Sequence, residues 1–220
     1  MTCLLVAATS FEISPFIESY RNSNYQSGDK HELDILITGI GLTASTYSIT
    51  KQINLKRPDI VIQAGIAGCF DRNIPLASVF AVKQDRIADL GVVEKDEFRS
   101  LFDSGLADPN HYPYSRGWLV NKSDAIKKTK LKKVKAISVN EISTQKRRIK
   151  FYEESFEPVL ESMEGAALHH VCLMEKIDFF QLRSVSNYIG ERNKKNWKLL
   201  TSVDNLNTEL INLLKVISIL

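Results

Sequence analysis

Short apolar runs alternate along the chain with stretches whose apolar positions recur every three or four residues. Cys3 to Ala8, Leu33 to Thr38, Ile60 to Ala64, Val79 to Lys83, Ala136 to Val139 and Phe179 to Ser186 are short and apolar, as strands buried in a sheet are. Between them lie helical stripes. Glu12 opens one with Ile13, Phe16 and Ile17, and Gly39-Ile40-Gly41-Leu42-Thr43-Ala44 leads into another. Ala166, Ala167, Leu168, Val171, Cys172 and Met174 form a third, and Val203, Leu206, Leu210, Leu213, Leu214 and Ile217 a fourth. Gln145 to Phe156, basic and then acidic, suits a surface helix, and Asp124 to Lys135 reads as a solvated helix leading into a strand. Residues 22–30 are polar and turn-rich. Residues 94–118 scatter Phe98, Leu101, Phe102, Tyr112, Tyr114 and Trp118 among turn formers and read as a long irregular insertion. Its aromatics either pack the loop on the core or floor an apolar pocket. The alternation predicts an α/β fold: a three-layer sandwich with a mixed, mostly parallel central sheet flanked by helices, in one domain over residues 1–220.

Composition narrows the class. The formal charge of +3 is too small to call for nucleic acid by itself, and the lysines between residues 124 and 135 have no aromatic interleaved with them. No apolar run approaches the length of a membrane span, and the start of the chain lacks the basic region of a signal peptide. Cys3, Cys69 and Cys172 are odd in number and without metal spacing, which fits reduced, buried thiols in a cytoplasmic protein with no metal and no cofactor.

Two stretches carry candidate chemistry. Glu161-Ser162-Met163-Glu164-Gly165-Ala166-Ala167-Leu168 follows a turn at Pro158 and runs into the third helical stripe. Glu164 then falls in an opening helical turn, where the dipole favours a carboxylate. It is either an ordinary acidic first turn or a carboxylate aimed at a ligand. Arg183-Ser184-Val185-Ser186-Asn187 follows, ending where a strand ends. Glu12, Gly65-Ile66-Ala67-Gly68 and Asn140-Glu141-Ile142 also fall just after predicted strands, the place where open α/β sheets put their ligand crevices. Gly39-Ile40-Gly41 is compatible with an anion cradle or with a tight turn packed against a helix.

Together the two stretches resemble the nucleoside phosphorylase/nucleosidase superfamily. Its hydrolase branch carries a Met-Glu-Gly-Ala-Ala-type motif and, about twenty residues on, an Arg-x-x-Ser-Asp-type motif; here the last position is Asn187. The continuation Asn187-Tyr188-Ile189-Gly190-Glu191-Arg192-Asn193 with Trp197 is similar to that of the futalosine hydrolase family of menaquinone biosynthesis. The resemblance implies hydrolysis of the N-glycosidic bond of futalosine to hypoxanthine and dehypoxanthinylfutalosine. It implies Glu12 and Asn187 as catalytic residues, and Ala67, Gly68, Ile142, Met163 and Glu164 as substrate-binding residues. The implied partners are a purine nucleoside and water, in a homodimer, without nucleic acid or membrane. The substrate's benzoate would meet a cation, with Arg99, His111 and Arg116 as candidates.

The chemistry of the residues bears on the substrate. An aspartic acid at position 187 could protonate N7 of a purine and accept from the amino group of adenine. An amide cannot be that acid, but it offers both an acceptor and a donor. It suits a 6-oxopurine, which presents an N1–H donor and O6 and N7 acceptors. Residues 7–20 contain no Arg or Lys that could bind phosphate, so hydrolysis is favoured over phosphorolysis. A phosphorylase, a methylthioadenosine-type nucleosidase and a nucleoside-binding sensor remain as alternatives.

Overall fold

The computed structural model describes residues 1–22, 32–95, 97–217 and 219; the turn-rich segment expected at residues 22–30 lies, after Asn22, outside the described residues. Strand β1 (Thr2–Ala7) leads through a 3-10 turn (Ser10–Ile13) into helix α1 (Ser14–Asn22). Then come β2 (Glu32–Ile37), α2 (Leu42–Leu55), β3 (Ile60–Cys69) and β4 (Val79–Asp85). The next part is mostly short strands: β5 (Gly91–Glu94), β6 (Glu97–Ser100), β7 (Tyr114–Ser115), β8 (Trp118–Val120), the single-turn α3 (Ala125–Lys128) and β9 (Lys133–Ser138). Helix α4 (Lys146–Phe156), β10 (Leu160–Ser162), α5 (Gly165–Glu175), β11 (Asp178–Tyr188), a 3-10 turn (Lys194–Asn196) and α6 (Leu199–Val216) complete the described chain.

The fold is α/β, with a mixed central sheet and helices on both faces. Side chains alternate across β1, as the strand period requires. Cys3, Leu5 and Ala7 join Phe16 of α1 and Leu206, Leu210 and Leu213 of α6 in one core. Leu4 and Val6 join Ile49 and Ile53 of α2 and Leu168, Val171 and Cys172 of α5 in the other. The two apolar stripes read from the sequence in α5 and α6 are therefore the faces that close these layers.

The sheet is mixed, as expected, and part of it closes on itself. Among the described residues it has nine strands; β2, β1, β3 and β11 are mutually parallel, as are β10, β9 and β4, but β10 meets β3, and β11 meets β4, antiparallel. These ladders run β3–β11–β4–β9–β10 and back to β3, so this part of the sheet closes on itself. Closure needs two long strands, each pairing along its length with more than one partner. β3 and β11 supply them, paired from Ile60↔Asp178 to Cys69↔Tyr188.

That pairing corrects one sequence expectation and bears out another. Gly65 to Gly68 is not a loop after a strand; β11 continues alongside and keeps it extended despite its glycines. Asn187 is the penultimate residue of β11, directly after a bulge, and so sits at the strand end where it was expected. The insertion is also less irregular than expected: β5 pairs with β6, and β7 with β8. Its aromatics pack on the core. Phe102 and Trp118, with Phe156 of α4, surround the Arg86 guanidinium, which lies 3.8 Å from the Phe156 ring centre. The helix expected over Asp124–Lys135 is only the single turn α3.

Candidate active site

The substrate-sized hollow that matters lies where the carboxyl ends of β1, β3 and β11 meet β10 and the start of α5. It has a volume of about 330 Å³, within the range of small-molecule sites. Glu12, Ala67, Gly68, Ile142, Met163, Glu164 and Asn187, drawn from five separate regions of the chain, all line it.

Glu12 reaches it from the 3-10 turn after β1. Its Oε2 accepts the Thr9 backbone N–H at 3.0 Å, and its Oε1 accepts the Ile66 N–H at 3.0 Å. The Thr9 bond is one half of a capping box, which fixes the carboxylate where the chain leaves the strand. Burial raises the Glu12 pKa; the Arg183 cation and the two backbone donors oppose the rise, and Glu164 adds to it.

Glu164 is the N-cap of α5, not a residue of its first turn. Its Oε1 accepts the Gly41 N–H at 3.1 Å, and its Oε2 lies 3.5 Å from Arg183 Nη1. Gly41 thus binds a protein carboxylate in this structure. Arg183 is 1% exposed and sits between the two acids. Its Nη2 donates to Gln63 Oε1 at 2.9 Å, so the cation is held from behind. Gly65 is what makes room for it: a Cβ there would stand 2.3 Å from Arg183 Nη1 and 2.9 Å from Glu12 Oε1.

Asn187 follows a bulge between Val185 and Asn187, and a bulge re-aims the side chains around it. The Ser186 hydroxyl donates to Asn187 Oδ1 at 2.8 Å, and Asn187 Nδ2 donates to the Tyr188 carbonyl at 3.1 Å. One N–H of the carboxamide stays available, since an amide nitrogen carries two.

The cation expected from the insertion is elsewhere. Arg99, His111 and Arg116 do not line the hollow; Arg99 instead donates to the Asp103 carbonyl at 2.6 Å and lies 3.7 Å from Glu94. The lining cation is Arg192, exposed on the loop after β11, its guanidinium carbon 5.8 Å from the centre of the Trp197 ring. Trp197 Nε1 donates to the Glu191 carbonyl at 3.2 Å, and the Glu191 carboxylate accepts from Asn193 N and Asn196 Nδ2. Arg192 forms no ion pair among the described residues. Reading the sequence singled out Arg192 and Trp197 only as part of a resemblance and assigned Glu161 no role, although all three line the hollow. The charge change along the loop from Glu191 to Arg192, Lys194 and Lys195 was the available signal.

Among the described residues no cluster of three or more His, Cys, Asp or Glu could hold a metal ion, and no helix is long and apolar enough to cross a membrane.

A sheet partly closed on itself, with two acids and a carboxamide gathered at one end, defines a class, and the whole-chain comparison agrees. The model of the phosphorylase superfamily matches residues 4–220, and the chain belongs to that family. Among individual relatives, the futalosine hydrolase of Streptomyces coelicolor is 28% identical over 172 residues, covering 76% of this chain and 72% of that protein. The native structure of futalosine hydrolase from Helicobacter pylori aligns with a TM-score of 0.73 at 17% identity, over 99% of this chain and 96% of that one. The 5'-methylthioadenosine/S-adenosylhomocysteine nucleosidase of H. pylori, with butyl-thio-DADMe-Immucillin-A, aligns with a TM-score of 0.79 at 18% identity, over 98% of both chains.

Proposed function

We propose that the protein is a nucleosidase that hydrolyses the N-glycosidic bond of futalosine, releasing hypoxanthine and dehypoxanthinylfutalosine in menaquinone biosynthesis. The observation that carries this reading is the gathering of Glu12, Glu164 and Asn187 around one nucleoside-sized hollow. The likeness to the S. coelicolor futalosine hydrolase supports the substrate.

In this reading Glu12 is the general base. A water on its carboxylate gives up a proton as its oxygen bonds to C1′ of the ribose. The C1′–N9 bond breaks with its electron pair going to the purine, and solvent returns a proton to the base. The sugar carries oxocarbenium-like charge on the way, as in glycoside hydrolysis. Glu164 accepts hydrogen bonds from the ribose hydroxyls and offsets that charge. Met163 packs on the sugar, Ile142 walls the base, and Ala67 and Gly68 let the backbone come close. The free N–H of Asn187 shares the charge of the departing 6-oxopurine. Water is the attacking partner because the buried Glu12 carboxylate repels phosphate, while the cation lining the hollow, Arg192, is on the exposed loop rather than beside Glu12. Arg192 and Trp197 receive the benzoate of the substrate.

The protein acts in the cytoplasm as a homodimer. Ile40 and Tyr47 stand 63% and 66% exposed near a second hollow lined by Leu42, Thr43 and Thr46, which gives α2 an apolar face for a second copy. Light scattering at micromolar concentration checks the assembly.

The test of the function is incubation with futalosine, inosine and methylthioadenosine, with and without phosphate, and chromatography of the released base. Hypoxanthine from futalosine in phosphate-free buffer is expected. Release only when phosphate is present would make the protein a phosphorylase, and adenine as the main product would reverse the base assignment.

A further inference from the structure

Asn207 lies on α6 and does not line the hollow, yet it is 2% exposed and its carboxamide is bonded to the turn that carries Glu12. Its Nδ2 donates to the Glu12 carbonyl at 2.9 Å and to the Val203 carbonyl of its own helix at 2.7 Å. Its Oδ1 accepts the Phe16 N–H at 3.1 Å. Both N–H groups and the oxygen are thus paired, as a buried amide requires.

The two backbone partners explain what the amide does. Glu12 and Phe16 are four residues apart, so their carbonyl and N–H are a pair that an α-helix joins directly. Between them the chain passes from the 3-10 turn into α1. Asn207 bridges the two groups across that change of helix type. Pro15 lies at the same junction and has no N–H for the Phe11 carbonyl, which accepts the Ser14 hydroxyl at 3.1 Å. A side chain 195 residues from Glu12 therefore ties a junction that proline leaves short of a donor. The same helix also holds the other side of the site. The Ser202 hydroxyl donates to the Val185 carbonyl at 2.8 Å, just before the bulge that precedes Asn187.

We propose that Asn207 is a positioning residue: it holds the Glu12 turn so that the carboxylate stays aimed into the hollow and bonded to the Ile66 N–H. The assignment rests on the nucleosidase reading, in which Glu12 is the base. It extends that reading by naming the residue that fixes the aim of the base. Asn207 is outside the hollow, so its effect passes through Glu12. Displacing a reacting group by about 1 Å can cost about 100-fold in rate.

Kinetics and amide exchange on the full chain test this. Asn207→Ala removes both links to the turn. Asn207→Asp conserves the volume but, when ionised, has no N–H for the Glu12 carbonyl. Each should lower kcat for futalosine by about 10–100-fold with KM unchanged. Asn205→Ala is the comparison: it removes a bond of the same kind from the same helix, to the Ala77 carbonyl, and should leave kcat unchanged. Amide exchange needs no turnover. In the Asn207 variants the Ile66 amide, which donates to Glu12, should exchange about tenfold faster relative to the Val61 and Ile62 amides of the same strand. A general loss of stability would speed all three together. Exchange at Ile66 in step with the other two would overturn the assignment, as would a wild-type kcat in either Asn207 variant. Absence of base release from every nucleoside by the wild type would sink the nucleosidase reading alone, since exchange at Ile66 would still decide what Asn207 holds.

Discussion

Glu12 keeps its proton to a higher pH than an exposed glutamate, because its carboxylate is buried and faces Glu164, with Arg183 only partly compensating. A general base must be ionised, so activity is lost as the pH falls through this raised value. The acid limb of kcat/KM is therefore expected above the ordinary value of 4.5. Glu12→Gln keeps the shape and the hydrogen bond from Ile66 but removes the base, and should lower kcat by about 10²–10⁴-fold with little change in thermal stability. Steady-state kinetics beside a melting curve checks both, and a variant with near-normal kcat would remove Glu12 from the chemistry. At this scale the sequence was informative. Glu12, Met163, Glu164 and Asn187 could be picked out through the motifs they belong to, since an acid or amide at an element end also has ordinary capping reasons to be there.

At the scale of elements, the start of α5 is held from below by a buried carboxylate. Asp85, at the end of β4, accepts the Ser138 hydroxyl at 3.0 Å, and Ser138 Oγ accepts the Ala166 N–H at 2.8 Å. Gly165 leaves space for this, since a Cβ there would stand 2.2 Å from Asp85 Oδ2. Burial pushes the Asp85 pKa up from 3.8 to about 6, against the pull of the Ser138 hydroxyl and Arg183. The unfolded chain gives up this proton near pH 3.8 and the folded chain only near 6, so the contribution of Asp85 to stability is full below the first value and lost as the pH rises through the second. The loss is on the order of 3 kcal/mol. Asp85→Asn removes it. The unfolding free energy of the variant minus that of the wild type should therefore rise between pH 4 and 6 and level off above, as urea titrations at several pH values would show. A difference that does not vary with pH would mean that Asp85 ionises normally. The helices α5 and α6 and the early strands were legible in the periodicity of the chain. The strand character of Gly65 to Gly68 was not, because it comes from β11, whose partner choice leaves no local trace.

For the whole molecule, charge is distributed along the hollow. Glu12, Glu161 and Glu164 lie inside, while Arg192, Lys194 and Lys195 stand exposed on the loop after β11. A ligand neutral at its inner end and anionic at its outer end matches this gradient. Arg192→Ala should raise KM for futalosine by about tenfold and leave inosine, which has no carboxylate, unchanged; one exposed charge-assisted contact accounts for that size. An equal effect on both substrates would place the carboxylate elsewhere. The charge change along the loop pointed toward Arg192, but choosing it over the insertion cations depends on how the loop folds back toward α6, where Lys198 N donates to the Ser186 carbonyl.

The closed run of strands has a consequence for how the protein is made. Its final stave, Asp178–Tyr188, lies near the far end of the polypeptide and also brings Arg183 and Asn187. Synthesis proceeds from the amino end. A ribosome that has produced Glu12, Gly65 and Glu164 has therefore produced no working centre, and a fragment ending before Asp178 should be both inactive and left with raw edges on β3 and β4, open to adhesion between chains.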